Sequence, residues 1–180
     1  MIHYHDYGLS PEEYKNSDIK LIIPTFGTCL NPQCRAVDRL YKHGYRTRYA
    51  VLGCLALLIV ICRLKCRHCK KTFTIMPSFL LKKFQYTAPS ILSFLSQFFK
   101  HRHYRVYRQL IYFYRKRFLS NIKLVEMFFR SDGNSRIFPQ NFNEKAMKLI
   151  ELITEDGIEN FCEKFSTRFG KHFMTRKFTN

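Results

Sequence analysis

Cys29-Leu30-Asn31-Pro32-Gln33-Cys34 and Cys66-Arg67-His68-Cys69 are the two stretches on which the reading of this 180-residue chain turns. Each places two thiols across a turn short enough for both sulfurs to reach one ion, and Asn31-Pro32 favours the turn in the first. Two such knuckles supply four soft ligands, the donor set of a closed tetrahedral structural zinc site. The sequence therefore predicts one Zn2+ held by Cys29, Cys34, Cys66 and Cys69. Arg35, Arg63, Lys65, Arg67 and Lys70 crowd the pairs, and positive charge favours thiolate over thiol. His43 and His68 stand close by in sequence as possible substitutes for a cysteine. In a unit this small the metal supplies much of the folding free energy, about 10–16 kcal/mol in zinc-finger peptides.

The segment between the knuckles sets the architecture. Arg39 to Leu52 reads as one or two strands with a turn at His43-Gly44. Tyr49 to Cys62 is a run of fourteen residues without a charge. A bilayer-spanning helix needs about 20 apolar residues, and Gly53 interrupts the run while Ile59, Val60 and Ile61 favour extended structure. Two strands meeting near Gly53 are expected rather than a membrane span. Leu55 to Lys65 then delivers Cys66 to the site, Phe73 packs under the hairpin, and Pro77 ends the unit: a zinc-ribbon plan. Cys54, Cys62 and Cys162 read as buried small hydrophobes.

Outward from the ribbon, charge is segregated. Residues 1–28 hold two basic and four acidic side chains, residues 29–83 twelve basic against Asp38, residues 84–130 nine basic against Glu126, and residues 131–180 eight basic and seven acidic. The positive excess thus lies between Cys29 and Arg130, where it sums to +19 against +18 for the whole chain. Segregation of this kind is the footprint of a nucleic-acid binder, where neutralised phosphates release counterions. The first 28 residues carry four acids and no apolar signal core, so a secretory leader is not expected, and the seven cysteines suit a reducing cytoplasm.

After Pro77 the pattern becomes helical. Thr87-Ala88-Pro89 reads as a helix start, followed by the apolar face Ile91, Phe94, Leu95, Phe98 and Phe99. Lys100 to His103 reads as a turn. Tyr104 to Leu119 carries a buried side of Val106, Tyr107, Leu110, Phe113, Tyr114 and Phe118. Its other side presents Arg105, Arg108, Gln109, Tyr112, Arg115 and Lys116. Arg and Gln along one helix face suit groove insertion, since Arg pairs with guanine and Gln with adenine while other cations hold phosphates. Helices over 89–99 and 104–118 have the dimensions of a helix-turn-helix. Ser120 is expected to cap a third helix, Asn121–Arg130. Ser131–Ser135 marks a loop. Beyond it, Ala146, Leu149, Ile150 and Ile153 mark one amphipathic helix, and Ile158, Phe161, Cys162, Phe165 and Phe169 another, with Asp156-Gly157 between them. Those stripes suit a homodimer contact or closure of the monomer core. The pairs His3/His5 and His101/His103 read as surface residues.

The knuckles, the ribbon segment Tyr41-Lys42-His43-Gly44-Tyr45-Arg46-Thr47-Arg48, the run Arg63 to Phe73 and Met76-Pro77-Ser78-Phe79-Leu80 resemble a group of small bacterial zinc-ribbon proteins. These are uncharacterised proteins found mainly in Firmicutes, similar to the N-terminal DNA-binding parts of insertion-sequence transposases. Arg108 to Phe118 looks like their helix-turn-helix segment. The resemblance covers about residues 29–130, implies zinc-dependent recognition of DNA, and carries the four cysteines over as ligands. The chain departs from the pattern in its apolar Leu55–Cys62 strand, where a more polar one is usual.

Transposase catalysis is not implied. Two-metal phosphoryl transfer needs carboxylates brought together from separate elements, whereas the acids here cluster at Glu151–Glu163. No phosphate-binding Gly loop, G-x-S-x-G or H-E-x-x-H motif is present either.

The sequence therefore predicts an α+β chain in four parts: an N-terminal segment (1–28), a zinc ribbon (29–80), a basic helix-turn-helix-like region (84–130) and C-terminal amphipathic helices (131–180). Its expected function is that of a non-catalytic, zinc-dependent DNA-binding protein, a transposase-like accessory, remnant or regulator. It would be cytoplasmic, and nucleoid-associated when bound. Double-stranded DNA is the expected partner. The contacts would come from the six residues on the face of 104–119 together with Arg46, Arg48, Arg67, Lys70 and Lys71. The alternatives are a zinc-stabilised protein-interaction adaptor and a membrane-associated basic protein anchored through residues 49–62.

Overall fold

In the computed structural model, which describes residues 1–101, 106–131 and 137–176, the apolar run turns back on itself at Gly53. Strands β2 (Leu40–Leu52) and β3 (Leu55–Cys66) pair antiparallel from Leu52↔Leu55 down to Leu40↔Cys66. Gly53 has φ +56° in the first of two loop positions, the site that a II′ hairpin reserves for glycine. Side chains alternate: Leu57, Ile59 and Ile61 are at most 5% exposed, while Leu58 between them is 50% exposed. At His43 the expected turn is instead an irregularity in register between Lys42 and Gly44, so Leu40–Leu52 is one strand. Cys54 stands exposed rather than buried, because it is the second of the two loop residues between the paired ends of β2 and β3. Cys62 and Cys162 are buried as expected. Among the described residues no helix is long and apolar enough to cross a membrane.

The sheet is completed from both sides of the chain. Strand β4 (Thr72–Pro77) pairs antiparallel with Arg63–Lys65 of β3, and β1 (Ile2–His5) lies parallel to β4 from Ile2↔Thr74 to His5↔Pro77. The order is β1-β4-β3-β2. The N-terminal segment is thus a working part of the sheet, with the Met1 amine donating to the Thr72 carbonyl at 2.7 Å. A short helix, α1 (Pro11–Asn16), follows β1, started by a capping box in which Ser10 and Glu13 serve each other's backbone N–H groups. Its Tyr14 is buried and donates to the Val60 carbonyl at 2.9 Å, so α1 covers β3 where β4 has ended. His3 and His5 are half-buried rather than on the surface, their rings against Phe26 and Tyr7.

Four longer helices follow: α2 (Ala88–His101), α3 (Arg108–Arg130), α4 (Phe142–Glu155) and α5 (Ile158–Phe169). The expected break at Ser120 is absent. Its hydroxyl turns back to the Arg117 carbonyl at 2.8 Å, and the helix runs on because Ile111, Tyr114, Phe118, Ile122, Val125 and Phe129 form one unbroken buried stripe. Tyr107 and Phe113, expected inside, are exposed, and Ile111 takes the inner place. The breaks at Asp156-Gly157 and at Arg130 fall where expected, although 132–135 of the anticipated loop lie outside the described residues. Ala146, Leu149, Ile150, Ile153, Phe161, Cys162 and Phe165 are covered within the chain and close one aromatic-rich core with α2 and α3. A second core lies under the sheet around Ile59, Ile61, Met76 and Phe79, and a third gathers Cys29, Cys62, Leu64, Cys66, Phe73 and Ile75. The described residues form an α+β fold of a four-stranded sheet and five helices.

Candidate metal centre and basic surface

Both knuckles are built by the same local device. In the first, the amides of Cys34 and Arg35 donate to the Asn31 carbonyl at 2.8 and 3.2 Å; in the second, the Lys70 amide donates to the Cys66 carbonyl at 3.0 Å. The residue after the second cysteine of each pair, Arg35 or Lys70, is left-handed, with φ +46° and +59°. The turn brings the two thiols of each knuckle together, and the left-handed residue that follows leads the chain out of it. The β3 strand presents Cys66 at its end, and a backbone bond from Arg67 to the Arg39 carbonyl (2.8 Å) ties the second knuckle to the start of β2.

The four sulfurs of Cys29, Cys34, Cys66 and Cys69 lie within 4.8 Å of one another. Cys29 to Cys69 is 3.7 Å and Cys34 to Cys66 is 4.0 Å. A tetrahedron of thiolates about 2.3 Å from a central ion has edges of about 3.8 Å, so the spacing fits a metal ion. Cys29 and Cys66 are buried and Cys34 and Cys69 half-buried, which leaves the centre shielded on its inner side. The Lys71 N–H beside Cys69 holds that thiol down to about 7, while burial pushes Cys29 up to about 12. His68 stands just outside the four, its Nδ1 3.3 Å from the Cys34 sulfur; His43 is exposed on the β2 irregularity.

The basic residues named from sequence divide into groups. Arg46, Arg67, Lys70 and Lys71 are exposed around the hairpin and second knuckle, with Arg67 over the Tyr41 ring at 5.4 Å. On α3, Arg108, Gln109, Tyr112 and Lys116 are exposed and Arg115 is half-buried over Phe98; Arg105 lies outside the described residues. Arg108 stacks on Tyr112 at 5.7 Å and Arg117 on the exposed Phe113 at 5.0 Å, so cations and open rings interleave along the helix. Arg48 is different. Its guanidinium is half-buried and donates to the Leu81 carbonyl (3.4 Å), the Phe84 carbonyl and the Met76 sulfur (3.2 Å), clamping the turn after β4 onto β2. That role followed from no sequence motif, and neither did the placement of Lys82 and Lys83 beside it. Glu126, the one carboxylate of residues 84–130, faces inward to Lys145 (3.0 Å) and Arg130 (2.7 Å), tying α3 to α4.

No protein-family model matches the chain, and no curated protein or solved structure is significantly similar to it.

Proposed function

We propose that the chain is a non-catalytic, zinc-dependent DNA-binding protein, a transposase-like accessory, remnant or regulator. In this reading the four thiolates hold one Zn2+ that locks the start of β2 to the end of β3, and the basic hairpin and the N-terminal half of α3 meet phosphate. The observation that carries it is the uncompensated positive charge of residues 29–130. Its two carboxylates do not neutralise the α3 face, because Glu126 is turned toward Lys145 and Asp38 belongs to the cysteine loop. A surface of one sign attracts a polyanion and repels its own like. A cationic helix face set with Gln109 supports entry into a groove, α2 and α3 acting as a helix-turn-helix-like pair. Open rings between the cations also suit stacking on unpaired bases.

The test pairs metal content with binding. Wild-type protein is expected to carry one zinc and to bind a duplex, while Cys66→Ser loses both the ion and the hairpin's protection from proteolysis. Zinc retained in full by Cys66→Ser, or wild-type protein indifferent to duplex at low salt, overturns the reading. A protein-interaction adaptor is favoured by the hairpin tip, where Tyr49, Leu55 and Leu58 are about half exposed. Saturable capture of one protein, with duplex and heparin bound equally, would select that alternative.

A further inference from the structure

Beside β2 lies a second cationic feature. A cleft of about 500 Å3 opens between β2 and the segment Lys82–Gln85, lined by Arg46, Arg48, Lys82, Lys83 and Gln85, with Tyr49 at its side. Among the described residues no carboxylate lines it. Four cations lining one cleft repel one another in the free protein, and an anion among them removes that repulsion. Arg46, Lys82 and Lys83 are exposed and free to turn inward. Arg48 is fixed by the carbonyls of Leu81 and Phe84 and by Met76, and a guanidinium has five N–H donors, so donors are left over after these three bonds. Burial, with Arg46 as a like-charged neighbour, lowers the Arg48 pKa, which an anion in the cleft would reverse. Lys83 holds φ +69°, a conformation in which glycine would be the less strained residue.

The cleft adjoins α3. Phe84, which lines it, packs on Phe113 with ring centres 5.9 Å apart, and Arg117 lies over the other ring of that pair at 5.0 Å. We propose that this cleft is a phosphate-binding site for the backbone of the polynucleotide that crosses α3, with Lys82, Lys83, Arg46 and Arg48 as its donors. The inference rests on the nucleic-acid reading above and deepens it, since it fixes where the strand runs after leaving the helix.

The test uses full-length protein, Lys82→Gln/Lys83→Gln, and Arg108→Gln/Lys116→Gln as an α3 comparison. Duplex affinity is measured across a salt series, and tripolyphosphate affinity by calorimetry. The two cleft lysines are exposed and neither side chain makes a hydrogen bond to a described residue, so folding is expected to be retained, which a thermal melt verifies. The expected result is a salt slope shallower by about 2 for the cleft variant, from two lost contacts, and loss of tripolyphosphate binding. An unchanged slope in the cleft variant, with a reduced one in the α3 variant, overturns the cleft while the nucleic-acid reading stands. Wild-type protein that binds tripolyphosphate through the two lysines but ignores duplex overturns the polynucleotide assignment and leaves a free polyphosphate as the ligand. Binding of neither probe overturns both.

Discussion

His172 is buried between Tyr4 and Phe84, and its Nδ1 accepts the Met174 amide at 3.2 Å. Burial, then the nearby charges of Lys82 and Arg117, lower its pKa to about 4. The unfolded chain therefore binds a proton, between the ordinary histidine value and about 4, that the folded chain refuses. Stability rises with pH across that window and is lost as pH falls through it, by on the order of 3 kcal/mol. His172→Gln should flatten this portion of a denaturation-versus-pH series; identical slopes for the two proteins would refute the assignment. Lys70 sits in the opposite situation, an L-residue in left-handed backbone at the knuckle. Lys70→Gly should raise stability by about 0.5–1 kcal/mol with zinc content unchanged, read as a higher thermal midpoint.

Among the described helices, α3 is the longest and serves three ends at once. One face fills the helical core, its middle donates from Asn121 to the carbonyls of Arg117 (3.0 Å) and Thr175 (2.7 Å), and its outer face carries the cations. Asn121→Leu removes the donor that pins the C-terminal segment while adding buried bulk. A loss of about 1–3 kcal/mol is expected, measured by urea unfolding, with the exchange protection of residues 172–176 falling first. The hairpin depends on its turn in the same way: Gly53→Val at φ +56° should cost about 1–2 kcal/mol and loosen the apolar tip before the cysteine end, which the proposed ion holds independently.

At the scale of the whole molecule, two basic surfaces, the hairpin with its cleft and the start of α3, flank one contact, Phe84 on Phe113. For the proposed binder, about six phosphate contacts give a slope of log K against log salt near −5, and a flat response would sink the electrostatic account. Stripping the proposed ion with a chelator should melt the region of the knuckles and hairpin. The helical core, built from Phe118, Phe128, Phe161, Phe165 and Phe173, should keep its helix signal, so the two losses separate in circular dichroism.

Much of this was written locally. Two cysteine pairs with turn residues between them, a glycine inside an uncharged β-branched run, and an Asp-Gly step between apolar stripes each specify their own backbone, so the hairpin, the knuckles and the α4–α5 break are legible in the chain. What depends on partners distant in sequence is not. The four-residue β1 carries no periodicity of its own, and only the free edge of β4, some seventy residues on, makes it a strand. Ser120 looks like a cap until the buried stripe on both sides of it overrides the local preference. Arg48 reads as one cation among many, and only the carbonyls of Leu81 and Phe84 turn it into a clamp beside a cleft. Local preferences act over a few residues, whereas burial and pairing are properties of what the fold brings alongside.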